Sequence, residues 1–242
     1  MPENDPIRYS VIIPLKNEAE NIGDLLYELI PVMNGLKAKW EVICIDDGSN
    51  DQTLDILRQM STQVPQLAIC AFTQHYGQSS ALDAGFQAAQ GEIIITLDGD
   101  GQNDPVEIPA LLNTLHDCDL VCGIRIGRND NWSKQFISRI ANTVRGWVCG
   151  DGIRDIGCSL KAYRKESLLK IRLYEGMHRF LPALFKIEGF KVKEIPVKHR
   201  KRLKGESKYS LANRHFNTIM DMFAVAWMRR RKLKYTIKND PP

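Results

Sequence analysis

Asp98 and Asp100 are separated by a single glycine, and Gln102 follows two residues later. Two carboxylates this close repel each other unless a cation lies between them, and a hard divalent ion with oxygen ligands is the simplest solution. Asp98, Asp100 and the neutral amide oxygen of Gln102 therefore form a candidate site for Mg²⁺ or Mn²⁺, an ion that keeps coordination positions open for substrate phosphates. Gly99, without a side chain, is expected to let a ligand come close to the backbone. The same residues would equally suit a polar turn before a helix, so the surrounding elements decide between the two.

Those elements place the pair at the end of a strand. Residues 92–97 are an apolar, β-branched run of the kind that forms a strand buried on both faces. Asp104 and Pro105 read as an N-cap and first helical residue, opening a helix over about 105–116. Further strands are predicted at 9–14, 40–45, 67–72 and 120–124, and helices at about 21–36, from 52, and at 79–89. This alternation argues for a Rossmann-like α/β fold, a mainly parallel sheet with helices on both faces. Asn17-Glu18, Asp46-Asp47 and Asp98–Asp100 all fall at predicted strand C-termini, which share one edge of a parallel sheet, the edge where such sheets bind ligands. Helix capping accounts for Asp51 and Asp104; it does not account for the other four aspartates, which stand too far before the helices.

The chain has 242 residues, 43% hydrophobic and 26% charged, an ordinary globular composition. Its net charge of +4 is unevenly placed. Residues 186–242 hold 16 Lys/Arg against 5 Asp/Glu, a balance of +11, and residues 1–185 hold 17 against 24, a balance of −7. An acidic body with a basic end suits a phosphate-rich partner or an anionic membrane surface; no nucleic-acid partner is expected. The six cysteines form no C-x-x-C pair, which fits reduced thiols in a cytosolic protein rather than a zinc site. The N-terminus lacks the pattern of a signal peptide. No apolar run approaches the ~18 residues of a spanning helix, so the protein is expected to be soluble or peripheral.

Several segments resemble family 2 inverting glycosyltransferases. They are Pro14-Leu15-Lys16-Asn17-Glu18, the Asp-Asp-Gly-Ser-Asn-Asp-Gln-Thr run of 46–53, and the Asp-Gly-Asp-Gly-Gln-Asn-Asp-Pro run of 98–105. The similarity is closer to the polyprenyl-phosphate branch, to which dolichol-phosphate mannosyltransferases belong. It extends through residues 74–85, Gly123-Ile124-Arg125 with Arg128, residues 155–161, His178-Arg179-Phe180-Leu181-Pro182, His199-Arg200 and residues 205–209, covering about 9–210 in all. Lys16 stands where family members commonly carry Tyr, and Gly99 and Gly101 replace the small residue and Leu of their D-A-D-L-Q pattern. The resemblance implies a fold of the GT-A type and transfer of one sugar, with inversion, from a nucleotide sugar to a polyprenyl phosphate at the cytoplasmic face of a membrane. It places the donor's nucleoside near Pro14, Lys16, Glu18, Asp46 and Asp47, and its diphosphate and metal at Asp98, Gly99, Asp100 and Gln102.

The acceptor sets the remaining requirements. A sugar hydroxyl is a poor nucleophile and needs a general base; Asp155 is the candidate if the acceptor is a saccharide. A phosphate, with a second pKa near ~6, is already largely ionised at neutral pH and needs cations to hold it in line. Arg125, Arg139, Arg200, Arg202 and Lys208 are the candidates, with Ser207 as a neutral donor; Arg125, Arg139 and Lys208 join Asp98 and Asp100 in the expected catalytic set. Residues 1–210 are expected to form the catalytic domain and 211–242 a basic amphipathic segment. In the latter, Phe216, Ile219, Met220, Phe223 and Trp227 fall on one side of a helix, followed by Arg229-Arg230-Arg231-Lys232. Such a helix suits an anionic lipid surface, the protein's own core, or a contact with a second copy or a membrane protein.

Overall fold

The computed structural model describes residues 5–126, 145–146, 148–200 and 211–235, the last segment with side chains from 218 onward. Arg139, Arg202, Ser207 and Lys208 lie outside the described residues, as does the side chain of Phe216. The strands are β1 (Tyr9–Leu15), β2 (Trp40–Asp46), β3 (Leu67–Ala71), β4 (Ile93–Thr96), β5 (Leu120–Ile126), β6 (Lys161–Arg164) and β7 (Val192–Lys198). The helices are α1 (Ile22–Gly35), α2 (Thr53–Ser61), α3 (Gln78–Ala88), α4 (Ile108–Thr114), α5 (Lys165–Leu168), α6 (Leu181–Glu188) and α7 (Leu211–Arg231).

The seven strands form one sheet in the order β3-β2-β1-β4-β6-β5-β7. All pairings are parallel except those of β6 with β4 and β5. The central strands are apolar on both faces because helices cover both. Val11, Ile13 and Leu15 pack with α1 and α4 on one side. Ile12, Ile43 and Ile45 pack with α3 and α6 on the other. The predicted mainly parallel sheet is the observed one, and the structure shifts some boundaries. β5 runs two residues past its expected end because β7 pairs with it along its whole length, from Leu120↔Val192 to Ile126↔Lys198. The helix expected over 105–116 divides into a 3-10 turn at Pro105–Glu107, α4, and a second 3-10 turn at Leu115–Asp117. Pro105 and Pro109 each remove a backbone donor from this stretch.

Register brings the strand ends together. Leu15 pairs with Asp46 and Ile12 with Thr96, so the chain leaves β1, β2 and β4 on the same edge. α7 belongs to the body of the protein: Val225 is buried in a cluster with Cys149, Met177, Phe180, Ala183 and Leu184. Its opposite side, carrying Ile219, Met220, Phe223 and Trp227, is exposed. No helix among the described residues is long and apolar enough to cross a membrane.

α3 lies close to the sheet through Gly85. A Cβ there would collide with Ile12 Cγ2 and lie 2.9 Å from Ile45 Cδ1. Gly85→Ala gains about 1 kcal/mol of helix propensity, whereas overpacking a tight core costs about 1–3 kcal/mol. The substitution is expected to destabilise the protein by about 1 kcal/mol in urea unfolding. Equal or greater stability would mean that α3 can retreat from the sheet at no cost.

Candidate active site

The edge is built first from cross-linked loops. Asn17 adopts a left-handed backbone (φ 51°) after β1. Its N–H donates to Ser49 Oγ at 2.8 Å, and its side-chain oxygen accepts from the Asn50 N–H at 2.7 Å. The Glu18 N–H donates to Thr53 Oγ1 at 2.8 Å, and Lys16 Nζ donates to the Gly48 carbonyl. The loops after β1 and β2 are therefore one rim. Gly48 requires its positive φ of 64°, and a Cβ there would lie 2.6 Å from the Gln74 carbonyl carbon.

The two aspartates that end β2 have different surroundings. Asp47 accepts from the N–H groups of Tyr76 (2.6 Å) and Gly77 (2.9 Å) and contacts His75 Nδ1 at 2.7 Å. Its carboxylate thus shapes the loop that enters α3. Asp46 is buried and accepts from the Ser49 N–H at 3.3 Å; its Oδ1 has no hydrogen-bond partner among the described residues.

Asp98 follows β4 and takes a hydrogen bond from Gln78 Nε2 at 3.0 Å. Asn103 underpins the turn: its Oδ1 accepts from Ser159 Oγ at 2.6 Å and from the Asp98 N–H at 3.4 Å. The Asp100 carboxylate accepts from the Gln102 N–H at 3.1 Å, while the Gln102 carbonyl accepts from the Arg200 N–H at 2.9 Å. Burial, and then the Asp100 charge, push the Asp98 carboxyl up to about 6, although Ser159, Lys161 and Arg125 all pull it down. Both effects penalise the ionised form, and a cation beside the pair would oppose them. Among the described residues no three His, Cys, Asp or Glu are grouped to hold a metal. A divalent ion here would rest on Asp98, Asp100 and a neutral oxygen such as that of Gln102, completing its shell with phosphate oxygens and water. A Cβ at Gly99 would collide with Leu15 Cδ2, so its smallness also seats the turn against β1.

The expected acceptor cations within the described residues are engaged by carboxylates. Arg125 donates through Nε and Nη2 to the two oxygens of Asp155, each at 2.8 Å, and its own N–H donates to Asp155 Oδ2 at 3.1 Å. Arg200 is paired with Glu28 at 2.5 Å and with Asp104 at 2.8 Å. Asp98 and Pro14 instead share a cavity of about 100 Å³ with Gln78, Ser159, Lys161, His178 and Arg179. None of these last five was singled out for a role from the sequence. Their segments were visible only as stretches of family resemblance, and nothing in their spacing indicates that they meet Asp98.

The family model described as glycosyl transferase family 2 matches residues 10–172. The chain is 35% identical over 96% of its length to a dodecaprenyl-phosphate galacturonate synthase of Rhizobium johnstonii, of which it spans 71%. It is 38% identical over 84% of its length to an undecaprenyl-phosphate 4-deoxy-4-formamido-L-arabinose transferase of Edwardsiella ictaluri, of which it spans 63%. Among solved structures, a glucosyl-3-phosphoglycerate synthase of Mycobacterium tuberculosis in complex with UDP superimposes with a TM-score of 0.70 at 18% identity, over 91% of this chain and 80% of that one. A mannosyltransferase of Pyrobaculum calidifontis in complex with GDP-Man and Mn²⁺ superimposes with a TM-score of 0.69 at 22% identity, over 97% and 67%. The fold is that of these enzymes.

In the metal-free protein, Asp98 is expected to titrate near 6. The folded state then binds a proton that the unfolded chain, with an ordinary carboxyl near 3.8, does not. Stability contributed by this group rises as pH falls from about 6 towards 4 and is lost again as pH rises through 6. Asp100→Asn should lower the Asp98 pKa by removing the neighbouring charge. Carboxyl-detected NMR titration of both proteins checks this; an ordinary pKa in the wild type, or no change in the variant, contradicts it.

Proposed function

The chain belongs to glycosyltransferase family 2, and from that premise we propose that it transfers one sugar, with inversion, from a nucleotide sugar to a polyprenyl phosphate. The observation that favours a phosphate acceptor is the engagement of Asp155. A hydroxyl acceptor needs a general base, and both oxygens of the candidate base are held by Arg125. A phosphate needs none, being largely ionised at neutral pH. The names of the two curated relatives support the same acceptor class.

The donor's nucleoside lies along the rim of Pro14, Lys16 and Glu18, with Asp46 and Asp47 beneath. Asp47 is occupied in holding the 75–77 loop, whereas Asp46 retains an unsatisfied acceptor suited to an N–H of the base. The diphosphate lies at Asp98, Asp100 and Gln102, with Mg²⁺ or Mn²⁺, which when bound neutralises charge on the leaving diphosphate. An acceptor phosphate oxygen attacks the anomeric carbon from the face opposite that group. The new oxygen–carbon bond forms as the bond to the diphosphate breaks, and the nucleoside diphosphate leaves with the electron pair. Gln78 and the Asn103–Ser159 pair orient Asp98 for this.

The lipid acceptor places the enzyme on a membrane, and we assign it to the cytoplasmic face as a peripheral protein. The exposed apolar side of α7 meets the bilayer, with Arg230 and Arg231 attracting anionic lipid at about 1 kcal/mol per basic residue. Lys232 contributes less than its sequence position suggested, because its Nζ turns to the Ile187 carbonyl and to Glu188 at 3.3 Å. A second copy or a membrane protein at this face is the competing arrangement.

Purified protein incubated with a panel of nucleotide sugars, Mg²⁺ or Mn²⁺, and either undecaprenyl phosphate or free saccharides is expected to give lipid-linked product by mass spectrometry. Asp100→Asn should lower turnover about a hundred-fold or more, with weaker metal-dependent donor binding. Product on saccharide alone overturns the acceptor assignment. Unchanged turnover with the same metal requirement in Asp100→Asn overturns the metal site.

A further inference from the structure

His178 and Arg179 sit on the 3-10 turn Met177–Phe180 that leads into α6. Met177 and Phe180 are buried and fix this turn to the body. The two polar residues between them line the cavity that holds Asp98. They also line a groove of about 420 Å³ whose other wall includes Met220 and Asp221 of α7. Arg179 is tied to that helix as well: its Nη1 donates to Thr218 Oγ1 at 2.8 Å. The guanidinium thus stands where the active-site cavity meets a groove that reaches the exposed apolar side of α7, where Met220 is 55% and Phe223 57% exposed. A cation at one side and apolar surface at the other match an amphiphilic anion.

Resting on the polyprenyl-phosphate reading above, we propose that Arg179 binds the phosphate of the acceptor and that the groove past Met220 carries its first prenyl units to the exposed face of α7. Of the cations expected from the sequence to do this, Arg125 is paired with Asp155 and Arg200 with Glu28 and Asp104; Arg179, bonded to Thr218, is the arginine that lines both the cavity and the groove. Glu175 and Asp221 also line the groove. The Arg179 charge favours the ionised form of Asp221, so an acceptor phosphate shares the guanidinium with that carboxylate while the hydrocarbon follows the wall at Met220. Arg suits the task because its planar fork donates two hydrogen bonds to one phosphate. The same cavity contains Asp98, beside which the donor diphosphate is assigned, so a phosphate at Arg179 is brought next to the donor.

The test compares wild type with Arg179→Gln, Arg179→Lys and Met220→Asp, using undecaprenyl phosphate in detergent and a water-soluble ten-carbon prenyl phosphate. Nucleotide binding is measured separately by calorimetry. Arg179→Gln should raise the acceptor KM about ten-fold or more for both lipids while leaving nucleotide affinity within about two-fold. Arg179→Lys should recover part of the loss. Met220→Asp, on the surface, should weaken use of the long acceptor more than the short one. An unchanged acceptor KM in Arg179→Gln overturns the proposal. So does a matching loss of nucleotide binding, which would put Arg179 on the donor diphosphate. Should Arg179→Gln fail to fold by circular dichroism, Met220→Asp decides, and equal effects on the two acceptors overturn the groove assignment. A wild type that uses neither lipid fails the function assigned above, a result distinct from any of these.

Discussion

The burial of Asp98, with the Asp100 carboxylate beside it, is the constraint around which the site is arranged. β4 is only four residues long and delivers the first carboxylate directly at the sheet edge. A fold selected for stability alone would place a neutral residue there, because a partly buried carboxylate beside another raises its own ionisation cost. The surroundings tolerate the pair and hold it in place. Gln78 reaches across from α3, and Asn103 and Ser159 tie the turn from below. Gln102 is clamped to the backbone of Arg200 just after β7. Elements from four separate parts of the chain are thus spent on one dipeptide spacing.

This explains what could be read from the sequence and what could not. β1, β2 and β4 were legible because strands buried on both faces are nearly continuous runs of Val and Ile. Their shared edge followed from the parallel pattern, and with it the nearness of Lys16, Asp47 and Asp98. β6 and β7 carried no such signal. β6 is a four-residue strand beginning with a buried lysine, and β7 is an edge strand with alternating charges and a proline. The antiparallel insertion of β6 was therefore invisible, and with it the route that brings Ser159 and Lys161 beside Asp98. The partners of Arg125 and Arg200 were hidden for a related reason. A charged side chain's partner is set by tertiary placement, and spacing in the chain says nothing of a carboxylate 30 or 172 residues away.

The C-terminal helix shows the same limit in another form. Its apolar stripe was visible, and so were three possible uses. The helix in fact has two apolar sides. Val225 and Ala226 are buried with the helices behind them, while Ile219, Met220, Phe223 and Trp227 face outward. The glycines of the facing loops leave room for the helix's polar side chains: a Cβ on Gly176 would meet the Asp221 carboxylate, and one on Gly150 the Arg229 guanidinium. Met222, Ala224 and Met228 pack inward beside Val225, and the aromatic residues Phe223 and Trp227 are left on the exposed side. That division suits a helix that must both hold to the protein and meet an apolar partner.

The positive groups near Asp98 are held on other partners. Lys161 and Arg125 both act to lower the Asp98 pKa, yet it remains near 6. Neither cation is directed at it in full strength. Arg125 is neutralised at close range by Asp155, in a bidentate pair whose hydrogen bonds and charge outweigh the burial that opposes the arginine's own ionisation. Lys161 is buried with its ammonium on the Cys158 carbonyl. A free lysine or arginine at Asp98 would satisfy the carboxylate pair permanently and leave no reason for a divalent ion to bind. With its resident cations held on other partners, Asp98 keeps a carboxyl raised by burial and by the Asp100 charge, and a group that is costly to ionise alone gains most from a cation brought beside it.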